Sequence, residues 1–508
     1  MRKPLCLLLV LILPAAAFGF DVDDPPAGKF SDEWFALMIA GKKSGHMHAT
    51  MERLERPSGD VIRTRTEMRI TATRGEIEIT LTLSQQTHES LAGEPLSFSS
   101  RLALGRFPST TEGRFKDGKV TITTRQLGIK TDENTYDLPE GAKMSWGVYR
   151  EQIDRGLEPG TRYQIKLYEP SIAPDRLTSA TMEVLGRETL DLFGRKVEAI
   201  KTIQTMSVPG LLGQGMDLTT TTWLTEEGEA VRMRMKVMDF PIEVIACSKA
   251  VATAKDEPAE LMASTLISAD RPVDARAKTL TFRMEWDPAG KSKLGELPET
   301  PMQKVERRET DSVTFTNTRR SARTQKQSTG KLSEDERARY LAASGYVNHK
   351  DPKVAELARE AAGDEKDPVK LADRLRRFVS DYVQSKNLNV GFATASEVAR
   401  SREGDCTEHG ILLAALGRAM GIPTRVVTGL VYTDEFLDRR HIFVGHLWTQ
   451  FWLDGEWVDL DAALHQTDVD PTHIALAVSD AGEAGLADLA GSVWLNMGKP
   501  RIRVVDPK

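Results

Sequence analysis

Ile77, Ile79, Leu81 and Leu83 alternate with Glu78, Thr80 and Thr82, and Val231, Met233, Met235 and Val237 alternate with Arg232, Arg234 and Lys236. A period of two with polar or charged alternates excludes an amphipathic helix and calls for strands with one wet face and one buried face. Such runs recur from residue 21 to 260, interrupted by turn signals at Asp117-Gly118, Pro209-Gly210 and Glu227-Gly228. Residues 20–260 are therefore expected to form an all-β antiparallel domain, either a sandwich or an open barrel. His46, His48 and His88 fall among these strands without nucleophile-and-base spacing, and read as surface or packing residues.

The pattern then changes twice. Residues 261–330 carry Pro272, Pro288, Pro298 and Pro301 and two short strand-like runs, Thr279 to Trp286 and Ser312 to Asn317, before a polar tract. They read as a small β extension and a linker. Arg319, Arg320, Arg323 and Lys326 make that tract locally basic, as a solvated linker is. From Ser333 the signals are helical. Ser333 with Glu336 and Thr394 with Glu397 are capping boxes, and Asp351-Pro352 and Asp367-Pro368 set a capping acid before a first-turn proline. Leu371, Leu375, Phe378, Val379, Tyr382 and Val383 share one helical face. Strand signals follow, so residues 331–508 are expected to be an α+β domain and the chain to be multidomain.

The first residues, MRKPLCLLLVLILPAAAFG, have a basic start, an apolar core from Leu5 to Leu13 and small residues at Ala15 and Ala17. This is the pattern of a cleaved signal peptide over residues 1–19, ending after Ala17 or Gly19, and it implies an exported protein, periplasmic or secreted. No later stretch is apolar for long enough to span a membrane. A hydrophobic share of 40%, a charged share of 28% and a net charge of -6 describe an ordinary globular chain with no footprint for nucleic acid. After the leader only Cys247 and Cys406 remain. One long-range bridge between them is the lesser expectation; the greater is a buried Cys247 and a free, reactive Cys406.

Cys406 lies in GDCTEHGILLAALGRAMGIPTR. Asp405 can cap a helix whose first turn holds the thiol and whose apolar face includes Ile411, Leu412, Ala415, Leu416 and Ala419, with Gly421 and Pro423 ending it. Unpaired N–H groups and the positive end of the helix dipole at that position favour a thiolate, the reactive form of cysteine. Downstream, Arg425 to Val431 and Phe443 to Leu453 read as strands. Asp454-Gly455 is a two-residue hairpin turn, so Leu453 should pair with Glu456. Counting back sets Trp448 opposite Asp461 and His446 opposite Ala463. His446 and Asp461 then share a face as diagonal neighbours, roughly 7–8 Å apart at the backbone. Asp459 shares the face but lies one step further away. Cys406, His446 and Asp461 thus stand as nucleophile, base and orienting acid.

Zinc held by Cys406, His409, His441 and His446 is disfavoured, because positions 441 and 446 differ in strand parity. His409 reads as a supporting residue, Trp448 as a shield over His446, Trp452 and Trp457 as hairpin packing, and His465 and His473 as loop residues. Gln384 and Asn387 are candidate second oxyanion donors beside the Cys406 backbone N–H.

The motifs from GDCTEHGILLAALGRAMGIPTRVVTG through GHLWTQFWLDGEWVDLDAA resemble the transglutaminase-like superfamily. The resemblance implies a papain-like cysteine protease type of α+β catalytic fold in which Cys406 is the nucleophile, His446 the base and Asp461 the orienting acid, with Arg425 and Gly429 at structural positions. It implies acyl transfer from a peptide or carboxamide with no cofactor, on a protein or cell-wall peptide. Thr407 stands where animal cross-linking members have tryptophan, which weakens any inference of protein cross-linking; the sequence alone does not choose between water and an amine as acceptor. Ala462-Ala463 stand where Pro-Thr usually follows the aspartate.

Overall fold

The computed structural model describes residues 20–505 apart from 75–76, 105–106, 127–128, 170–175, 209–215, 238–239, 261–264, 287–296, 322–329, 385–392 and 482–499. The signal sequence, the Pro209-Gly210 turn, Arg323, Lys326 and Asn387 lie outside the described residues. The chain divides between Ala259 and Glu260 into two compact units.

The first unit is built on antiparallel strands. Strands from Gly28–Ile39 to Ile129–Asp137 follow one another up and down, and so do strands from Arg162–Leu167 to Phe240–Cys247. The two runs become one sheet where Gly28–Ile39 pairs with Phe240–Cys247, Trp34 opposite Cys247. A sandwich needs two sheets, so the single sheet path fits the open-barrel expectation. Asp117 and Gly118 turn one hairpin with φ of 52° and 69°, the doubly positive geometry that matches strand twist.

Between the runs lies one helix, Ser145–Arg155. Its Trp146 and Tyr149 pack on Phe30, Met51 and Ile62, whereas Val148 packs on Ile165, Leu167, Ala180, Met206 and Leu218. One helix touching strands of both runs means that the sheet curls around it. Burying Trp146 completely contributes about 2–3 kcal/mol. The helix start has no side-chain cap of its own. Instead the buried Glu89 carboxylate accepts the N–H groups of Trp146 and Gly147 at 2.8 and 3.0 Å. Burial pushes the Glu89 carboxyl up to about 7, against the pull of those hydrogen bonds.

The second unit contains two sheets and a helical layer. Ile267–Ser268, Arg439–Leu453, Thr424–Phe436 and Ile474–Ser479 are neighbours in that order, with Glu456–Leu460 also paired to Arg439–Leu453. A four-stranded sheet joins Gln303–Arg308, Ser312–Thr318, Thr279–Glu285 and Arg501–Val505. The 261–330 stretch therefore supplies strands to the same unit as the helices. Phe282, Phe315 and Ile502 share a core with Leu430, Phe443 and Ile474.

The helices begin where the capping signals put them. Ser333 and Thr394 close capping boxes at Glu334–Leu341 and Ala395–Ser401, and Asp351 and Asp367 cap Pro352–Ala362 and Pro368–Tyr382. Leu371, Leu375, Val379 and Val383 are buried as their shared face requires. Among the described residues no helix is long and apolar enough to cross a membrane.

Candidate active site

The helix Cys406–Ala419 starts at Asp405, whose side chain accepts the Thr407 N–H at 2.9 Å. Glu408 completes a capping box by accepting the Asp405 N–H at 2.9 Å, and its other oxygen accepts the Ala393 N–H at 2.8 Å. Asp405-x-x-Glu408 is a capping-box pattern that the sequence carries, a role for Glu408 beyond those expected above. Burial first, and the neighbouring Asp405 charge second, hold its carboxyl well above the usual range. At the far end Gly421 has φ +76°, and the Ile422 N–H returns to the Gly417 carbonyl at 3.0 Å, stopping the helix.

This helix is buried along its length from Glu408 to Arg418, not on one face alone. Gly410 and Gly417 let it lie close on the sheet: a Cβ on Gly417 would come within 2.5 Å of the Thr424 side chain and 2.6 Å of Phe451. Thr449 Oγ1 donates to the Gly410 carbonyl at 2.9 Å. The start opens outward, and Cys406 is half-buried and outside any disulfide, as is Cys247.

Asp454 and Gly455 turn the hairpin with φ of 46° and 86°. Leu453 pairs with Glu456 and Thr449 with Leu460, the register counted from sequence. Asp461 leaves the strand in a bridge with Gln466, and His446 Nε2 and Asp461 Oδ2 are 2.6 Å apart. The other Asp461 oxygen accepts the Leu464 N–H at 2.9 Å. Cys406 is within hydrogen-bonding reach of the His446 ring, where Nδ1 is the nitrogen not engaged by Asp461. Burial pulls the imidazole down, yet Asp461 and Cys406 together hold it well above its ordinary value. Asp461, likewise desolvated, is held far below its ordinary value by His446 and His473.

Asp459 goes elsewhere. Its Oδ1 accepts from Trp448 Nε1 and Gln450 Nε2, both at 2.7 Å, and Arg425 Nε donates to Gln450 Oε1 at 2.7 Å. Arg425 also covers the Trp457 ring at 4.2 Å. The Trp448 ring stacks beside His446 with centroids 6.2 Å apart, and Trp452 meets Trp457 edge-on at 5.3 Å. Gly429 sits opposite His446. A Cβ there would lie 1.9 Å from the Ile474 carbonyl oxygen, so only glycine lets the strand Ile474–Ser479 close over this position.

His473, expected in a loop, does precede a strand, but it is fully buried with Nε2 3.1 Å from Asp461 Oδ2. His465 is exposed. His409 Nδ1 lies 2.6 Å from the Asp405 carbonyl and His441 Nδ1 2.9 Å from the Tyr432 hydroxyl; among the described residues Cys406, His409, His441 and His446 do not gather as one donor set. Gln384 is exposed, and its backbone N–H donates to the Arg402 carbonyl.

Among the described residues, the donors that gather are His446, Asp461 and His473, all within 4.8 Å. Ligands at ~2.0–2.1 Å on a tetrahedral cation lie about 3.3 Å apart. The 2.6 Å and 3.1 Å separations converge on one carboxylate oxygen instead, which is ion pairing and not a cation cage.

Residues 355–462 match the family model of the transglutaminase-like superfamily. No curated protein matches the sequence. The chain is similar to a candidate cysteine protease from Cytophaga hutchinsonii, at 15% identity over 45% of this chain and 89% of that one, with a TM-score of 0.30. It is also similar to a β-barrel-like protein of a domain of unknown function from Brucella abortus, at 15% identity over 44% and 96%, with a TM-score of 0.31. A candidate protease from Parabacteroides distasonis matches at 12% identity over 76% and 69%, with a TM-score of 0.20. Through residues 355–462, which include Cys406, His446 and Asp461, the chain carries a domain of the transglutaminase-like superfamily.

Proposed function

We propose that the protein is an exported cysteine hydrolase, a peptidase or amidase, that works through a thioester on Cys406. The observation that carries this reading is the chain of contacts from a half-buried thiol at a capped helix start, through His446, to the buried Asp461. His446 holds the thiol proton and Asp461 holds the charged imidazole in place. The thiolate sulfur attacks the carbonyl carbon, and His446 gives its proton to the leaving amine as the C–N bond breaks. Water, losing a proton to His446, then releases the acid and frees the thiol. The Cys406 N–H supplies one oxyanion donor. Thr407 in place of tryptophan weakens the case for protein cross-linking. Protein cross-linking is the second reading, favoured only by the superfamily itself, and a non-catalytic binding role the third.

Purified full-length protein and Cys406→Ala should be incubated with peptide amides and a labelled primary amine, following ammonia, cleavage and amine incorporation. Cleavage or ammonia release by the wild type alone is the expected result, and incorporation would replace hydrolysis with cross-linking. Identical behaviour of both proteins, with no selective alkylation of Cys406, would refute catalysis.

A further inference from the structure

His473 lies one residue before the strand Ile474–Ser479, one strand removed from the strand that carries His446. Its ring is completely buried, and both nitrogens face oxygen. Nε2 is 3.1 Å from Asp461 Oδ2, and Nδ1 is 3.2 Å from the Asp470 carbonyl and 3.4 Å from Asp470 Oδ1. Ionised carboxylates and carbonyls only accept hydrogen bonds, and a neutral imidazole has one N–H. A neutral His473 would therefore press one nitrogen lone pair against an oxygen lone pair in a site without water exposure. Only the imidazolium satisfies both sides.

The surroundings fit that charge. Asp470 is itself held ionised, with Oδ1 accepting the Thr472 N–H at 2.9 Å and Oδ2 accepting from Gln466 Nε2 at 2.7 Å. The charged or titratable groups facing His473 are Asp461, Asp470, His446 and, at longer range, Asp459. Desolvation pulls the imidazole down, yet its hydrogen bonds to Asp461 and Asp470 hold it above its ordinary value against the neighbouring His446. The His446 and His473 rings stand edge to face with centroids 5.5 Å apart, and the Trp448 ring closes the other side at 5.2 Å from His473.

We infer that His473 is a positioning residue, a standing imidazolium that shares the Asp461 carboxylate with His446 and so fixes that carboxylate while dividing its charge between two rings. This rests on the proposed cysteine chemistry only for its consequence, not for its charge state. A lone Asp461 would grip the His446 proton harder. The second cation weakens the grip, so that His446 can hand its proton to a leaving amine.

The test has two arms. In full-length protein carrying ¹⁵N-labelled histidine, ring-nitrogen spectra should show His473 with both nitrogens protonated from pH 6 to 8, in the wild type and in Cys406→Ala alike; His473→Gln assigns the signals. A singly protonated His473 in that range overturns the inference, whatever Cys406 does. The second arm follows alkylation of Cys406 by iodoacetamide against pH. His473→Gln should move the alkaline edge set by His446 upward by roughly one pH unit, because removing a neighbouring cation makes His446 hold its proton longer. Asp470→Asn, which weakens the same cation and keeps the buried ring, should move it the same way by less. Unshifted edges in both variants would overturn the positioning role. A wild-type Cys406 no more reactive than Cys247 would instead count against the hydrolase reading, with the spectra still deciding the charge of His473.

Discussion

Asp461→Asn keeps the shape of the orienting residue and removes its charge. In the wild type the charge-assisted contact to His446 is short, 2.6 Å, and both groups are buried. Hydrogen bonds of this kind are worth about 1.5–3 kcal/mol. At 1.36 kcal/mol per pH unit, its loss should lower the proton affinity of His446 by about 1–2 units. If the same energy is withdrawn from the transition state, turnover falls roughly 10- to 150-fold. The assay is the pH dependence of Cys406 alkylation together with hydrolysis of a peptide amide. The alkaline edge should move down by those 1–2 units, opposite in direction to His473→Gln. Asp459→Asn, whose partners are Trp448 and Gln450, should change both readouts less than threefold. The stability effect has a defined window. His446 is raised from 6.5, so its contribution is full below 6.5 and is lost as pH rises through the folded value. Asp461 is lowered from 3.8, so its contribution is full above 3.8 and is lost in strong acid. The destabilisation by Asp461→Asn, about 3–5 kcal/mol for a broken buried pair, should thus peak between about pH 4 and 6.5. An unshifted alkylation edge, or an Asp459→Asn variant as damaged as Asp461→Asn, would refute the assignment.

Two further outcomes follow from the structure. Gly429→Ala places a Cβ 1.9 Å from the Ile474 carbonyl oxygen, and urea melts should show a loss of about 1–3 kcal/mol or more, with activity falling because the strand beside His446 must move. Glu89, raised from 4.5 to about 7 by burial, contributes fully below pH 4.5 and loses its contribution as pH rises through 7; stability of the first unit should fall by on the order of 3 kcal/mol across that window, and Glu89→Gln should flatten the dependence.

How far the site could be read from sequence depends on how local each cause is. Asp454-Gly455 fixes a turn, and the turn fixes the register as far as Thr449 opposite Leu460. Asp461 then leaves the strand to bridge Gln466, so the expected pairings of Trp448 with Asp461 and His446 with Ala463 do not form and the 2.6 Å contact is completed outside the ladder. The helix start at Asp405 was legible because its cause is local, and Glu408 was there to be read three residues on. His473 was not legible. Its place beside Asp461 comes from the bridge to Gln466, the turn from Asp470 and the pairing of Ile474 with Leu430, none of which leaves a period in the sequence. The open form of the first sheet was equally hidden, since it depends on Gly28–Ile39 meeting Phe240–Cys247.

The strand Arg501–Val505 pairs with Thr279–Glu285, and Arg271 donates to the Val504 carbonyl across 233 positions. Ile502 enters the core that also seats Phe443, three residues from His446. Contacts of such long separation form late and slowly, because loop-closure entropy must be met before they stabilise anything. A growing chain therefore carries Cys406, His446 and Asp461 for some time before the strand that completes their support has been made. Two segments from nearly opposite ends of this unit must therefore meet before the core around Phe443 is complete.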